Sequence, residues 1–207
     1  MVRITDDILY RVEKPSRYVG GELNEVIKDP KEVDIRFGFC FPDVYEVGMS
    51  HLGSRILYHV LNQRKDTYCE RVYAPWPDME KLMRENNIPL YALETKDPIN
   101  EFNFLAFTLQ YEMSYTNILN MLNMGGIPLR ASERTEKDPL VIAGGPCAYN
   151  PEPLYDIVDI FQLGEGEEGL NDLLDLYQKH KDNFNKEAYL REASHIPSVY
   201  KIGRASC

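Results

Sequence analysis

The sequence predicts an α/β protein whose core is an open parallel sheet with helices on both faces. Apolar runs typical of strands alternate with segments whose apolar residues recur at helical spacing, over roughly 150 residues. One of these runs, residues 102–109, is apolar almost without a break, as in a strand that is covered on both faces. Strands and helices in this alternating order form parallel sheets through right-handed crossovers.

The first half of the chain contains strand–helix units. Its predicted elements are, in order, a strand at 33–41, a helix at 49–65, a strand at 68–74, a helix at 77–86 and a short extra strand or extended segment at 88–93. A Pro42-Asp43 turn separates the first strand from its helix. Pro77 suits the first turn of the next helix, where a missing backbone N–H costs nothing.

The second half continues the alternation. Its predicted elements are a strand at 102–109, a helix at 115–124, strands at 140–143 and 157–163, a helix at 167–180 and a short helix within 185–200. Glycines mark the ends of these elements, because they accept turn conformations. Gly125-Gly126 ends a helix, and Gly144-Gly145 and Gly164 follow strands.

The composition excludes several classes of protein. No apolar run approaches the ~18 residues of a membrane-spanning helix and the N-terminus lacks the apolar centre of a signal peptide, so we expect a cytoplasmic protein with no membrane partner. The chain carries 33 Asp plus Glu against 23 Lys plus Arg, which argues against direct nucleic-acid binding. The spacing of the four cysteines and four histidines predicts no metal site within this chain.

The chain divides into segments of different character. We expect an N-terminal arm at 1–32, an α/β domain at 33–182, the start of a linker at 183–200 and an unrelated tail at 201–207. The tail, KIGRASC, is what a common short-read sequencing adapter encodes in translation. On this interpretation the tail, with Cys207, is a sequencing or cloning artefact, and the natural chain continues differently.

The carboxyl ends of the predicted strands carry the candidate ligand-binding loops. In an open parallel sheet, ligands bind beyond these ends, where the strand order reverses. The loops after the strands at 33–41, 102–109 and 140–143 read PDVYEVG, QYEMSYT and GGPCAYNPEPLYD. They bring small and hydrogen-bonding residues to one edge, although each residue alone also suits a strand end or a helix cap.

The order of motifs in these loops resembles that of cobalamin (vitamin B12)-binding domains. Asp43-x-Tyr45-x-x-Gly48, Ser114-x-Thr116 and Gly144-Gly145 are similar to the Asp-x-His-x-x-Gly, Ser-x-Leu and Gly-Gly series of that family. The chain further resembles the cobalamin-type N-terminal domains of radical S-adenosylmethionine (SAM) proteins, in a subfamily of unassigned activity. The stretches that carry this second resemblance are KPSRYVGGE, FPDVYEVGMSHLG, ERVYAPWPDME, LQYEMSYTNILNML and GGPCAYNPEPLYDIVDIFQLGEGEE.

The resemblance implies a flavodoxin-like (Rossmann-like) sheet of the cobalamin-binding type, with a corrinoid over the sheet edge and its nucleotide tail in the crevice. The residues predicted at the cofactor are Asp43, Tyr45, Gly48, Met49, Ser114, Thr116, Gly144, Gly145, Pro146 and Glu165. Glycines let the backbone approach a large ligand, and the hydroxyl groups of Ser114 and Thr116 can hydrogen-bond its tail. Glu165 is also placed at the interface with a downstream catalytic domain.

Tyr45 departs from the family pattern, since the cobalamin-binding motif has a cobalt-ligating histidine there. A phenol with a pKa of ~10 is neutral at pH 7 and is a poor metal ligand, so corrinoid binding would have to do without it. The segment GEGEEG also matches the dinucleotide-binding pattern G-x-G-x-x-G. We reject that interpretation, because its glutamates stand where a pyrophosphate needs donors and the motif follows the last strand rather than the first.

The sequence leaves two functions open. In the first, the chain is the N-terminal cobalamin-binding-like domain of a radical SAM enzyme, truncated before the catalytic core. It then presents a corrinoid, or a substrate that the sequence does not identify, to its own C-terminal radical SAM domain. The 4Fe–4S cluster and SAM belong to that missing domain, so this segment has no catalytic centre of its own. In the second, the domain is a cofactor-free flavodoxin-like module for docking or substrate recognition.

Overall fold

A computed structural model of the protein describes Val2 and residues 4–201. Within these residues the centre is a six-stranded sheet with the order β2-β1-β3-β4-β5-β6. The strands are β1 (Ile35–Phe41), β2 (Thr67–Tyr73), β3 (Phe104–Thr108), β4 (Leu140–Gly144), β5 (Ile160–Gln162) and β6 (Val199–Tyr200). Neighbours among β1 to β5 are parallel, and β6 is antiparallel to β5. The order 2-1-3-4-5 of the parallel strands is that of flavodoxin-like sheets, which confirms the predicted fold class.

Helices cover both faces of the sheet. In chain order they are α1 (Asp6–Leu9), α2 (Tyr45–Ser50), α3 (Leu52–Gln63), α4 (Pro77–Glu85), α5 (Tyr115–Met124), α6 (Gly166–His180) and α7 (Lys186–Ala193). Buried side chains of α4, α5 and the N-terminal arm form a core on one face. Those of α3, α6 and α7 form a core on the other. Alternate residues of a strand point to opposite faces, so Phe39 joins the second core and Cys40 the first.

The predicted helix at 49–65 is interrupted in the structure. The chain forms α2, turns at His51 and continues as α3. His51 has an extended backbone, with φ −79° and ψ 113°, and its Nδ1 accepts a hydrogen bond from the backbone N–H of Ser54 at 3.1 Å. The imidazole therefore caps α3 in the way that a serine or aspartate side chain would. Helical spacing of the apolar residues survives the break, which is why the pattern does not show it.

The segment at 88–93 forms no strand but covers the outer edge of β2. The backbone N–H of Leu93 donates to the carbonyl of Arg71 at 2.8 Å, and the N–H of Arg71 donates to the carboxylate of Glu94 at 2.7 Å. The segment also forms one isolated antiparallel bridge with the chain that follows it, between Tyr91 and Pro98. Edge strands expose unpaired backbone groups that invite pairing with another chain, and Leu93 and Glu94 satisfy those of Arg71.

Both ends of the described chain pack onto the sheet. In the segment predicted as the start of a linker, Tyr189 of α7 is fully buried and β6 extends the sheet beyond β5. In the predicted arm, Lys28 Nζ donates to the carbonyls of Asn62, Arg64 and Thr67 at 2.9, 2.7 and 2.6 Å. It thereby holds the last carbonyls of α3 and the start of β2. Residues 202–207, most of the predicted artefact, lie outside the described residues.

None of the helices among Val2 and residues 4–201 combines the length and the apolar character that crossing a membrane requires.

Candidate functional site

The loops after β1 and β3 meet at the carboxyl edge of the sheet. Strand order reverses between these two strands, so this is the place where an open parallel sheet binds ligands. The Tyr111 hydroxyl donates to the Asp43 carboxylate, and Asn117 Nδ2 donates to the carbonyl of Pro42 at 2.9 Å. The bond to Asp43, with some burial, raises the pKa of Tyr111 to about 12. Asp43 thus ties the two loops together, and its other oxygen accepts the backbone N–H of Val44 at 2.7 Å.

A narrow cavity of about 170 Å³, here called the crevice, opens between α3, α6 and the carboxyl ends of β3, β4 and β5. Gly144 and Gly145 form part of its wall. Gly145 has φ +105°, and a Cβ there would lie 2.9 Å from the carbonyl oxygen of Leu109, so only glycine fits. At Gly144 a Cβ would meet Gln162 at ordinary distances of 3.5 to 4.0 Å. The absence of side chains at both positions keeps the crevice open.

Polar groups line the crevice at the strand ends. Thr108 is the last residue of β3, and its hydroxyl accepts from Gln110 Nε2 at 2.5 Å. Gln162, the last residue of β5, donates weakly from Nε2 to the carbonyls of Leu163 and Glu165, at 3.3 and 3.4 Å. Its Oε1 is buried without a hydrogen-bond partner among the residues that the structure describes. A buried amide oxygen left unpaired is costly, so a ligand that donates a hydrogen bond to Gln162 would offset that cost.

Tyr45 lies at the start of α2 with its hydroxyl already engaged. It donates to Glu22 Oε1 of the N-terminal arm at 2.8 Å, and its ring packs edge-on against Tyr73 with 5.5 Å between centroids. Burial, together with the bond to Glu22, raises the pKa of Tyr45 to about 12. The phenol is therefore neutral and turned to a carboxylate, an arrangement that does not fit a cobalt ligand.

Gly48 and Met49 do not join the crevice. They border another, larger cavity of about 810 Å³ between α3 and the N-terminal arm. A Cβ on Gly48 would lie 2.3 Å from the Tyr73 ring, so this glycine permits close packing of α2 on β2. Of the residues predicted at one ligand, Gly48 and Met49 thus lie at a different cavity from Gly144 and Gly145.

The remaining predicted residues have local roles or face solvent. Ser114 is buried, and its hydroxyl donates to the carbonyl of Tyr111 at 2.8 Å. Thr116 and Glu165 are exposed, in the first turn of α5 and just before α6 respectively. Pro146 begins a short 3₁₀ turn after β4. None of these four residues borders the crevice.

Thr108, Gln110 and Gln162 line the crevice although the sequence motifs do not single them out. The hydroxyl groups of the motif lie at Ser114 and Thr116, whereas the sheet register puts Thr108 opposite Gly144. The signal in the sequence that could have identified Thr108 is its place at the end of a strand, next to a strand that ends in glycine. Among the described residues, no group of three or more His, Cys, Asp or Glu side chains is placed to hold a metal ion.

Comparison with known proteins places most of the chain in one family. A family model described as radical SAM proteins, N-terminal, matches residues 53–201. A protein of Methanocaldococcus jannaschii that is described as uncharacterized is 26% identical to this chain over 128 residues. That match covers 61% of this chain and 23% of the relative, so it spans about a quarter of the relative's length. No solved structure matches the chain.

Proposed function

Because the chain belongs to the family of radical SAM protein N-terminal domains, we propose that it holds a corrinoid for a radical SAM domain. The nucleotide tail of the corrinoid would occupy the crevice, and the corrin ring would lie over the carboxyl edge of the sheet. The partner is the protein's own radical SAM domain, which would carry the 4Fe–4S cluster and bind SAM. The segment described here supplies binding and orientation rather than a catalytic centre.

The crevice is the observation that carries this proposal. Its volume of about 170 Å³ is comparable to the ~150 Å³ cavity that admits a benzene ring, so a flat heterocycle fits it. It lies at the ligand-binding end of the sheet. Gly144 and Gly145 allow a close approach of the backbone, while Thr108, Gln110 and Gln162 offer hydrogen bonds. These residues fit the heterocyclic base of a nucleotide tail.

Tyr45 has a different role in this proposal from the one that its position in the motif implies. A bound corrinoid supplies cobalt-centred chemistry. With its proton directed to Glu22, Tyr45 leaves the metal without a ligand from this loop. Tyr45 instead joins α2 to the N-terminal arm, and so fixes the loop over which a corrin ring would lie. We therefore expect the binding affinity to depend on the tail rather than on ligation of the cobalt.

Titration of the purified protein with two corrinoids tests the proposal. Hydroxocobalamin carries the nucleotide tail, and dicyanocobinamide lacks it. We expect hydroxocobalamin to bind with a micromolar dissociation constant, and cobinamide to bind at least about tenfold more weakly because it leaves the crevice empty. Failure of folded protein to retain either corrinoid at micromolar concentrations would exclude corrinoid binding. Equal affinity for both corrinoids would show that the nucleotide tail does not bind in the crevice.

Exposed apolar side chains on the same edge favour a second candidate, a cofactor-free docking module. Met113 is 86% exposed and Tyr149 is 69% exposed, which is unusual for residues of this size. Other exposed apolar residues in the segments that follow the strands are Val47, Leu52, Trp76, Tyr111 and Tyr155. A domain with this edge could contact a partner domain directly. A corrinoid titration without binding, followed by loss of domain contact in Met113→Ser, would support this candidate.

A further inference from the structure

The larger cavity, here called the arm cavity, has no part in the proposed corrinoid site. It has a volume of about 810 Å³ and lies between residues 22–26 of the N-terminal arm, α3 and the ends of β1 and β2. Phe39 and Ser54 border both the arm cavity and the crevice, so the two are neighbours on one face of the sheet. Its volume falls within the ~300–1,000 Å³ range of small-molecule sites.

The walls of the arm cavity are largely apolar. The apolar part is formed by Phe39, Phe41, Leu52, Ile56, Tyr58 and Tyr73. The charged or ionisable residues that also line the cavity are Glu22, Glu25, Arg55, His59 and Arg71. Leu52 and Ile56 are 67% and 42% exposed on α3, where they border the opening. Phe39, Phe41 and Tyr58 are buried, so the apolar surface in contact with water is mainly that of Leu52 and Ile56. A ligand with an apolar body would cover that surface.

Strong donors meet on a weak acceptor at one end of the cavity. Arg71 Nη1 lies 3.2 Å from Met49 Sδ, and the Tyr73 hydroxyl lies 3.0 Å from the same sulfur. A thioether is a weak hydrogen-bond acceptor, whereas a guanidinium and a phenol are strong donors. Arg71 is 8% exposed, so little of its side chain is solvated. An oxygen acceptor at the position of the sulfur would pair better with both, and the flexible Met49 side chain can move aside.

The charges around Arg71 restrict what that acceptor can be. Arg71 Nε lies 2.6 Å from Glu94 Oε1, and Nη2 lies 2.8 Å from Glu22 Oε2 and 3.8 Å from Glu25 Oε1. A further negative charge would be repelled by the carboxylate of Glu22, which already pairs with the guanidinium. An uncharged carbonyl oxygen accepts hydrogen bonds from Arg71 and Tyr73 without that repulsion.

We propose that the arm cavity is a binding site for an uncharged, largely apolar molecule with a carbonyl oxygen, which replaces Met49 Sδ as the acceptor for Arg71 and Tyr73. The carbonyl group sits at the polar end of the cavity. The apolar body lies between α3 and the N-terminal arm. This site is independent of the crevice, so it stands whether or not the domain binds a corrinoid.

Fluorescence titration with Prodan, an uncharged naphthyl ketone, tests the site. We expect saturable binding with blue-shifted emission, and much weaker binding of the anionic dye anilinonaphthalene sulfonate. Tyr73→Phe removes a donor and should weaken Prodan binding by about three- to tenfold, the effect of one hydrogen bond. Met49→Leu keeps the volume but removes the competing sulfur, so it should tighten binding by a similar factor. A cavity that is merely apolar would show neither change.

The variant Ile56→Trp locates the binding. It fills the opening of the arm cavity from an exposed position on α3, so the fold should persist, as thermal unfolding would confirm. Prodan binding should then be lost while hydroxocobalamin affinity stays within about twofold of wild type. Prodan binding that survives Ile56→Trp, or that is the same in Met49→Leu and Tyr73→Phe, would overturn the proposal.

Discussion

The buried carboxylate of Glu94 makes the stability of the protein depend on pH. Its side chain is fully buried beside Arg71. Burial raises the pKa of Glu94 from 4.5 to about 7, although the Arg71 guanidinium opposes the shift. Between these two values the folded protein binds a proton that the unfolded chain does not. The free energy of unfolding therefore falls as the pH rises from about 4.5 to about 7 and then levels off.

The variant Glu94→Gln isolates this effect. Wild type should lose about 2 kcal/mol of stability between pH 5 and pH 7.5 relative to the variant, because glutamine does not titrate. Urea unfolding at the two pH values measures the difference, with the exposed Glu101→Gln as a control. Carboxylates whose pKa is lowered by a partner, such as Asp66, affect stability in a lower pH range. Their contribution to the stability of the protein is lost as the pH falls below their ordinary pKa. If the free energy of unfolding changed equally with pH in wild type and Glu94→Gln, Glu94 would not have the raised pKa.

Alanine variants of Gly145 and Gly164 distinguish the cost of backbone strain from the cost of a close contact at Cβ. Both have positive φ, +105° and +79°, but a Cβ at Gly145 would lie 2.9 Å from the Leu109 carbonyl, whereas one at Gly164 would meet nothing within 4 Å. We expect Gly164→Ala to lower the free energy of unfolding by about 1 kcal/mol. Gly145→Ala should cost at least about 1 kcal/mol more. Equal losses in chemical unfolding would show that the close approach at Gly145 is unimportant.

At the scale of elements, β2 is an edge strand whose outward groups are capped by side chains. Asn62 of α3 donates from Nδ2 to the Cys69 carbonyl at 3.0 Å and accepts the Cys69 N–H at 3.1 Å. Asn62→Leu leaves both backbone groups buried and unpaired, so it should lower the free energy of unfolding by about 2–4 kcal/mol. Thermal or urea unfolding measures this. The exposed neighbour Gln63→Ala should change stability by less than about 0.5 kcal/mol, and a similar value for Asn62→Leu would contradict the account.

The elements differ in how far the sequence could predict them. The helix Tyr115–Met124 agrees with its prediction in both bounds, because the apolar spacing and Gly125-Gly126 point to the same limits. The break at His51 is invisible to periodicity, since it depends on an imidazole acting as a cap. Strand β6 is two residues long and is held by pairing with β5, so no local pattern could reveal it.

At the scale of the whole molecule, topology decides which predicted residues meet. The alternation of strands and helices suffices to predict the parallel sheet and its ligand-binding edge. It does not predict which of the two neighbouring cavities each loop borders. Gly144 and Gly145 line the crevice, whereas Met49 borders the arm cavity, and the motif order alone cannot separate them. Thr108 reaches the crevice through the pairing of β3 with β4, which only the register reveals.

Comparing the hydroxocobalamin affinities of Gly144→Leu and Gly144→Ala tests most directly whether the crevice holds the nucleotide tail. A Cβ at Gly144 meets its neighbours at ordinary distances, so alanine is tolerated, while leucine projects into the crevice. We expect the dissociation constant of Gly144→Ala to stay within about threefold of the wild-type value and Gly144→Leu to bind at least about tenfold more weakly, with both variants folded. Equal affinity for the two variants would contradict this expectation, because the ligand would then lie elsewhere.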